Sequence, residues 1–355
     1  MKILIISDQF NPSIRSSSIL IQDLVNGLLK KKHQVTLITT TKGNNFKKRN
    51  LNVIRINSFE LHGENFVLKG LNQIILFFQI SFLVFFLKNK IDKLFIYSPP
   101  FFLGLLGIFF KKKKKIICLQ DFFPQNAIDL SILRNKILIK ILLWIEKKIF
   151  EINDYFIVHS KNSKIYIQKK HPYMKEKVKF FYNWFYKIPK NKSKKLKKNK
   201  KFKFIFGGSI GPSQNLEKIV IPFKKLEDVC ELDVYGNGIS KDFLLKKISS
   251  NNVKNIKIFK PVNNQLFKKK LDLADSALIT LSNKNRTPII PGKFNFYCLN
   301  SKNTTSIVNK ESDLHEIIAK NKLGFSTDNQ KNYNLTKFLQ KIIKNKNLNK
   351  FNINA

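Results

Sequence analysis

FIFGGSIGPSQNLE, residues 204–217, is the stretch that decides the fold class expected for this chain. An apolar run of β-forming residues leads into three glycines, Gly207, Gly208 and Gly211, and a polar segment then opens a predicted helix. This order predicts a strand, a tight loop and a helix N-terminus, whose free backbone N–H groups and positive dipole end favour a phosphate. An ordinary turn between a strand and a helix is the alternative, because glycines alone do not distinguish the two.

The same alternation of short apolar strands and helical segments continues on both sides of this stretch. Strands are predicted at residues 2–7, 35–39, 53–56, 94–97, 116–119 and 155–158, and again at 204–206, 232–235, 256–259, 276–280 and 305–308. A helix is predicted at 19–29, and a basic amphipathic helix at 335–346. The rhythm indicates an α/β chain with doubly wound parallel sheets, which bind ligands at the carboxyl ends of their strands.

A lysine-rich stretch, KIPKNKSKKLKKNKKF at residues 187–202, separates the two series of strands. Its like charges repel one another, so we expect an exposed connector rather than a packed element. The predicted organisation is a first domain at 1–186, a basic linker at 187–202, a second domain at 203–334, and a C-terminal helix and tail at 335–355.

The net charge of +43 in 355 residues would ordinarily suggest a nucleic-acid or membrane partner. The excess is nearly all Lys and accompanies heavy use of Asn, Ile and Phe, which is typical of AT-rich coding, so no nucleic-acid partner is expected. The three cysteines, Cys118, Cys230 and Cys298, form no CxxC pair and indicate neither a zinc site nor a disulfide framework. Met1 leads directly into a predicted strand, so we expect no signal peptide and a cytoplasmic location.

Three apolar segments with basic flanks lie in the first half, at residues 71–87, 101–110 and 131–150. The first of them is apolar almost all round a helix, although a helix packed on a sheet should show a polar stripe. Together they favour a peripheral protein on an anionic membrane surface, where each nearby lysine adds about 1 kcal/mol. Core helices of a large domain, or a true membrane span, are the alternatives.

A carboxylate, Asp121, directly follows a predicted buried strand in LQDFFPQNAIDLSIL, residues 119–133. Strand ends are where α/β proteins keep functional groups, so Asp121 is a candidate catalytic residue. A role in capping the next helix or turn is the alternative.

Seven segments, spread in order over most of the chain, resemble the family 4 glycosyltransferases, and most closely bacterial N-acetyl-fucosamine transferases of surface polysaccharide synthesis. They are KILIISDQFNP (2–12), LQDFFPQNA (119–127), FFYNW (180–184), FGGSIGPSQNLE (206–217), VYGNG (234–238), LADSALITL (273–281) and PIIPGKFNFY (288–297). The resemblance implies the GT-B fold, with two facing Rossmann-like domains, a nucleotide-sugar donor on the second and an acceptor on the first. It also implies retention at the anomeric carbon without a bound metal or other cofactor.

The resemblance implies roles for particular residues of the second domain. Gly208 and Ser209 would line the donor diphosphate at a helix N-terminus, and Lys293 would supply a cation for charge that builds on the leaving group.

Three further donor-binding residues follow from the VYGNG segment. Gly236 and Gly238 would let the chain pass close to the base and ribose, and Tyr235 would flank them.

In the first domain Asp121 would face the reacting sugar or the acceptor hydroxyl, as general base or orienting group. Arg15 stands where the family usually has a glycine pair and is a candidate phosphate contact. Ser209 and Asn215 stand where broader family members have an Arg and a Lys.

The expected function is therefore transfer of a sugar from a nucleoside diphosphate sugar, UDP-linked by preference, to a polyprenyl-diphosphate-linked saccharide. This would occur on the inner face of a bacterial plasma membrane during assembly of O-antigen, capsule or another surface glycan. The alternatives are a nucleotide-sugar epimerase, an inactive transferase that serves as a membrane partner, and a polyanion-binding protein whose binding would collapse with salt.

Overall fold

A computed structural model describes residues 1–13, 16–57, 66–184, 201–328 and 334–345. The chain divides into two compact units, Met1–Lys187 with Thr287–Ile289 and Ile188–Arg286 with Ile290–Ala355. Each unit is built on a parallel sheet with helices, which confirms the predicted α/β class. Arg15 and most of the predicted linker lie outside the described residues.

The described part of the first unit contains an eight-stranded sheet. Its strands are β1 Lys2–Ser7, β2 Gln34–Thr39, β3 Phe46–Lys48, β4 Leu51–Arg55, β5 Lys93–Ser98, β6 Lys114–Leu119, β7 Tyr155–Val158 and β8 Val178–Phe180. Their order across the sheet is β3-β4-β2-β1-β5-β6-β7-β8, and only the β3–β4 pair among these described strands is antiparallel. The carboxyl ends of the parallel strands therefore meet at one edge.

Helices cover both faces of this sheet. They are α1 Ser16–Lys30, α2 Phe66–Leu87, α3 Gln125–Asp129, α4 Lys136–Ile152 and α5 Lys161–Lys170, with a 3₁₀ helix at Phe101–Phe110 and shorter ones at Lys88–Lys90 and Pro172–Met174. Side chains alternate along β1, so that Leu4 and Ile6 join the core beneath α2 and α4, whereas Ile3 and Ile5 join the core beneath α1. Burial on both faces explains why β1 is a continuous apolar run.

The layer over one face of the first sheet has the Phe101–Phe110 helix between α2 and α4. Backbone N–H of Phe101 donates to Oε1 of Gln73 on α2 at 3.1 Å. On the other side, Nδ2 of Asn153 donates to the carbonyl of Gly104 at 3.0 Å. The three segments thus form one connected layer.

The described part of the second unit contains a six-stranded sheet in the order β11-β10-β9-β12-β13-β14. The strands are β9 Phe202–Gly207, β10 Cys230–Tyr235, β11 Ile256–Phe259, β12 Ser276–Thr280, β13 Thr304–Val308 and β14 Gly324–Asp328, and each neighbouring pair is parallel. The helices are α6 Val220–Lys224, α7 Lys241–Ser250, α8 Asn264–Asp272, α9 Gly292–Leu299, α10 Leu314–Lys320 and α11 Leu335–Lys344, with a 3₁₀ turn at Leu216–Ile219.

One expectation about the glycine turn is wrong. Gly208 and Ser209 do not lie at a helix N-terminus, because the chain runs through an irregular loop until the 3₁₀ turn starts at Leu216. Asn215 has a left-handed conformation, with φ of 47°, so no regular helix runs through it, and α6 begins at Val220 after the 3₁₀ turn. Helix α6 is five residues long and contains Pro222, which has no N–H for a helical hydrogen bond and disfavours a longer helix.

Close packing of the Phe101–Phe110 helix on α4 predicts a strong effect of Gly104→Ala. A Cβ on Gly104 would lie 2.6 Å from Cγ2 of Ile149, so the helix would have to move away from α4. We expect a loss of about 1–3 kcal/mol in the free energy of unfolding, measured by urea denaturation.

Gly27→Ala in α1 is the matched control, because no atom lies within 4 Å of the added Cβ. It should leave the free energy of unfolding unchanged or raise it by up to about 1 kcal/mol. Equal stability of Gly104→Ala and the wild type would contradict the close approach of these helices.

Candidate functional site

The carboxyl edge of the second sheet brings together the loops that follow β9 and β10. Backbone N–H of Gly208 donates to the carbonyl of Tyr235 at 3.0 Å, and a Cβ on Gly236 would lie 2.1 Å from the carbonyl oxygen of Gly208. Only glycine allows this approach at position 236. The two loops are therefore held as one rigid surface, on which Gly208 and Ser209 are exposed.

Gly238 continues the same contact one step further along the loops. Its φ of +152° favours glycine, and an added Cβ would lie 2.3 Å from the carbonyl oxygen of Ile210. The Ile210 N–H in turn donates to the carbonyl of Asn237 at 2.9 Å. The structure thus accounts for both glycines of the VYGNG segment by backbone packing, and their predicted approach to a base and ribose stays a prediction.

Lys293, near the start of α9, extends its side chain to the glycine loop. Its Nζ lies 3.5 Å from the centre of the Phe206 ring, and a Cβ on Gly208 would lie 3.5 Å from the same Nζ. The structure therefore brings together Lys293 and Gly208, which the sequence separates by more than eighty residues.

The Lys293 ammonium is buried although the residue as a whole is partly exposed. No hydrogen-bond partner for Nζ exists among the described residues. Burial lowers the pKa of Lys293 to about 7, because a charged group loses its hydration there. An anion placed over Gly208 would supply the missing partner.

Tyr235 is packed rather than open. Its ring stacks on Phe259, with centres 4.8 Å apart and an angle of 16°, and meets Phe267 edge to face at 5.9 Å. Only 7% of the residue is exposed, which leaves little of the ring for a ligand.

A second lysine of the same loop region, the half-buried Lys218, was not singled out from the sequence. Its Nζ donates to the carbonyl of Leu281, just after β12, at 2.6 Å, and burial lowers its pKa to about 7. Nearby, N–H of Ser282 donates to the carbonyl of Ser213 at 2.7 Å. These bonds tie the loop that leads towards α9 to the glycine loop. A lone lysine in a lysine-rich sequence gives no signal of this role.

In the first unit, Asp121 lies two residues after the end of β6. It caps no helix, because Pro124 occupies the N-cap position of α3 and α3 has no side-chain cap. Asp121 lines a mostly apolar cavity with Phe122, Phe123 and Glu146, and burial raises the pKa of its carboxyl. A carboxylate with a raised pKa is suited to accept a proton near neutral pH.

The neighbours of Asp121 at the same edge include a polar cluster that sequence reasoning missed. Nε2 of Gln120 contacts Nε2 of His159 and lies 3.4 Å from Oδ1 of Asn183. Gln120 follows β6, His159 follows β7 and Asn183 follows β8. Polar residues directly after apolar strands were the available signal for the first two.

The structure does not test two of the predictions, the phosphate contact of Arg15 and the absence of a bound metal. Arg15 lies outside the described residues, so its contact with a phosphate stays a prediction. Within the described ranges no group of three or more His, Cys, Asp and Glu residues is placed to hold a metal ion.

Comparison of the sequence with protein families gives one match, to the model described as Glycosyltransferase Family 4, over residues 17–185. No curated protein matches the sequence significantly. The matched region contains Asp121 and the Gln120 cluster, which lie at the carboxyl edge of the first sheet.

Solved structures resemble nearly the whole chain. Sucrose-phosphate synthase from Thermosynechococcus elongatus has a TM-score of 0.69 and 12% identity, and the match covers 96% of this chain and 89% of that one. WaaG, a glycosyltransferase involved in lipopolysaccharide biosynthesis, has a TM-score of 0.65 and 12% identity, with 98% and 91% covered. A trehalose-6-phosphate structure from E. coli bound with UDP-2-fluoro glucose has a TM-score of 0.69 and 8% identity, with 97% and 91% covered.

At these identities the structural likeness establishes the fold, and the narrower resemblance to N-acetyl-fucosamine transferases stays a prediction. Residues 17–185 therefore match the model of Glycosyltransferase Family 4, and the two parallel-sheet units of the chain have the fold of GT-B glycosyltransferases.

Proposed function

We propose that the protein is a retaining glycosyltransferase that moves a sugar from a nucleoside diphosphate sugar, by preference UDP-linked, to a lipid-linked saccharide. The observation that carries the proposal is the buried Lys293 ammonium, which has no partner among the described residues and lies against Gly208 at the carboxyl end of β9. The family match and the glycosyltransferase neighbours give this geometry its chemical context.

The donor diphosphate would bind over Gly208 and Ser209. Both residues are exposed, and Gly208 has no side chain to hold the phosphates away from the backbone. Lys293 would pair with the phosphate oxygens and stabilise the charge that develops on the leaving nucleoside diphosphate. This charge compensation by an amine is consistent with transfer that needs no metal and no other cofactor. The neighbour bound with UDP-2-fluoro glucose supports a UDP-linked donor.

Asp121 would act on the acceptor side. Its carboxyl has a raised pKa, lies at the edge where strands of the first sheet end, and makes no hydrogen bond to a described residue. It would accept a proton from the acceptor hydroxyl or orient that hydroxyl towards the anomeric carbon.

A lipid-linked acceptor is supported by two apolar helix faces of the first unit. The exposed side chains are Leu68, Leu71, Ile74, Ile75, Phe78, Phe82, Phe85 and Phe86 on α2, Ile137, Leu138, Ile141 and Trp144 on α4, and Ile108 between them. We call this set the apolar face. Phe78 and Phe82 are each about two-thirds exposed, at 66% and 67%, which is unfavourable in water.

The occupant that fits the apolar face is an anionic phospholipid surface. Nζ of Lys88 lies 4.1 Å from the centre of the Phe85 ring, and Nζ of Lys148 lies 6.0 Å from the Trp144 ring. Apolar side chains flanked by lysines are the pattern of helices that lie in a membrane interface, and each lysine adds about 1 kcal/mol on an anionic surface. The proposed location is the inner face of a bacterial plasma membrane, where surface glycans such as O-antigen or capsule are assembled on a polyprenyl diphosphate.

Peripheral attachment fits α2 better than a membrane span. The stretch Gly70–Lys90 has the length and composition of a membrane-crossing helix. However, Leu76, Ile80 and Val84 are buried in the core of the first unit, and Gln73 accepts the hydrogen bond from Phe101 described above. Crossing the bilayer would remove this stripe from the core, whereas lying in the interface leaves it in place.

Donor binding should depend on Lys293 and on pH. Lys293→Met removes the cation, so we expect UDP to bind about 10- to 100-fold more weakly, measured by isothermal titration calorimetry. In the wild type UDP binds the charged lysine, whose pKa is about 7 in the free protein, so the dissociation constant should rise as pH increases above 7. Lys284→Ala, an exposed lysine of the loop after β12, should bind UDP as the wild type does.

Lys293→Met should weaken UDP binding but stabilise the free protein. The folded-state pKa of Lys293, about 7, lies below its ordinary value of 10.5, so the unfolded chain binds more protons between these pH values. Lys293 therefore destabilises the free fold most at pH 7 and below, and the free energy of unfolding rises with pH through this range. Lys293→Met should raise the melting temperature of the free protein at pH 7. Unchanged UDP affinity in Lys293→Met would remove this residue from the donor site.

Asp121→Asn tests the acceptor side. We expect turnover to fall about 10²- to 10⁴-fold with the melting temperature and UDP affinity retained, because only the proton acceptor is lost. The assay follows transfer from UDP-N-acetylhexosamines to farnesyl-diphosphate-linked N-acetylglucosamine in detergent. Asp129→Asn, a half-buried acid of α3, is the control and should retain wild-type turnover. Wild-type turnover in Asp121→Asn would contradict the assignment.

Membrane attachment is tested by co-sedimentation with vesicles of phosphatidylglycerol and phosphatidylcholine. Phe82→Glu should weaken binding at least about tenfold, because it places a charge in the apolar face and repels anionic lipid. Phe243→Glu on α7, equally exposed at 62%, should bind as the wild type does.

Two results would contradict the membrane proposal. One is that the wild-type protein sediments to the same extent with and without anionic vesicles. The other is loss of self-association in Phe82→Glu, seen by sedimentation velocity, without loss of vesicle binding, which would assign the apolar face to a second copy of the chain.

A further inference from the structure

Gln120 lies at the centre of the polar cluster after β6, β7 and β8. Its Nε2 contacts Nε2 of His159, lies 3.4 Å from Oδ1 of Asn183 and is 3.5 Å from Sγ of Cys118. Its backbone N–H donates to the carbonyl of Ser98, the last residue of β5, at 3.0 Å. The residue is thus held by groups from four neighbouring strands at the carboxyl edge of the first sheet.

The ring of His159 determines which way the Gln120 amide points. Nδ1 of His159 lies 3.2 Å from the carbonyl oxygen of Phe181, and a carbonyl can only accept, so Nδ1 carries the hydrogen. Burial lowers the pKa of His159 to about 4, so the ring is neutral at pH 7. Nε2 of a neutral ring with hydrogen on Nδ1 is an acceptor, and it therefore receives an N–H of Gln120.

Asn183 supports the same orientation. Its Oδ1 is an acceptor on the second side of the Gln120 amide nitrogen. With the nitrogen directed at two acceptors, Oε1 of Gln120 must point away from both. No described residue donates a hydrogen bond to this oxygen, and Gln120 is only half-buried, so a ligand can reach it.

We infer that Oε1 of Gln120 accepts a hydrogen bond from a hydroxyl of the saccharide that receives the sugar, beside the carboxyl of Asp121. His159 and Asn183 are positioning residues, which fix the amide so that it presents oxygen and not nitrogen to the ligand. The inference rests on the proposed function, which places the acceptor on the first unit.

A hydroxyl-bearing ligand fits this edge because its outward-facing groups are acceptors. The amide oxygen of Gln120 and the carboxylate of Asp121 both need donors, and a sugar supplies O–H groups in pairs on adjacent carbons. An amide locked in the other orientation would present an N–H and would instead suit a carboxylate or phosphate. The tautomer of His159 therefore determines which class of ligand binds, because it orients the Gln120 amide although the ring itself does not contact the ligand.

The tautomer is measured directly by NMR of the full chain with ¹⁵N-labelled histidine. At pH 7 we expect His159 to carry hydrogen on Nδ1 and none on Nε2, with the signal assigned by its loss in His159→Gln. A hydrogen on Nε2 of His159 would reverse the Gln120 amide and overturn the inference without any assay of transfer.

Kinetics test the role of the oxygen. Gln120→Met keeps the size of the side chain and removes the acceptor, so KM for farnesyl-diphosphate-linked N-acetylglucosamine should rise about 3- to 10-fold. KM for the UDP-sugar should stay at the wild-type value. The melting temperature should fall, because His159 and Asn183 lose the N–H that Gln120 donates to them. An unchanged acceptor KM in Gln120→Met would overturn the inference.

His159 provides the matched pair of variants. His159→Phe keeps a ring but has no acceptor for the Gln120 amide, so it should raise the acceptor KM as Gln120→Met does. His159→Gln keeps an acceptor oxygen at a similar position and should restore the acceptor KM to within about twofold of the wild type. Equal acceptor KM values in the two variants would mean that His159 has only a structural role.

Failure of the proposed function has a different signature. A wild-type protein that binds UDP but transfers no sugar to the prenyl-linked probe would count against the lipid-linked acceptor, and the NMR result would still decide the orientation of Gln120. Wild-type transfer with unchanged acceptor KM in Gln120→Met would leave the proposed function standing and remove this inference alone.

Discussion

Parallel pairing brings the carboxyl ends of the strands to one edge of each sheet, and the placement of the candidate residues depends on this constraint. The first sheet is covered on both faces, so apolar side chains fill its strands and polar groups collect where the strands end. Gln120, His159 and Asn183 meet there although dozens of residues separate them in sequence. In the second unit the same geometry sets Gly208 beside Gly236.

Helix α2 has apolar side chains on two opposite sides, whereas a core helix of a soluble protein has them on one side. Its inner stripe, which includes Ile80 and Val84, packs on the first sheet, while Phe78 and Phe82 on the opposite side remain exposed. Membrane docking would bury the outer stripe without disturbing the inner one. The absence of a polar stripe in the sequence is then a consequence of two different apolar environments on one helix.

Hydrophobic pattern located most of the sheets, because a strand buried on both faces is a short apolar run. The bounds of β1, β7, β11 and β12 agree with those predicted. The pattern missed β3, β8 and β14, which are short or carry polar residues such as Ser326 and Asp328, and it placed a helix too early after the glycine turn. It also could not show that Gly236 faces the Gly208 carbonyl, because that contact depends on the pairing of β9 with β10.

Lys293 shows how a site built for an anion lowers the stability of the protein when no anion is bound. A buried ammonium without a partner loses hydration, and the Phe206 ring at 3.5 Å compensates only part of that loss. The protein relieves the cost by lowering the pKa of the amine, so near pH 7 the free site is a mixture of charged and neutral forms. A diphosphate that pairs with the charged form does not have to remove water from the lysine, because folding has already removed it. The buried lysine thus lowers the stability of the free fold and raises the affinity for the donor. A solvated lysine at the surface would lose its water only on binding and would add less affinity.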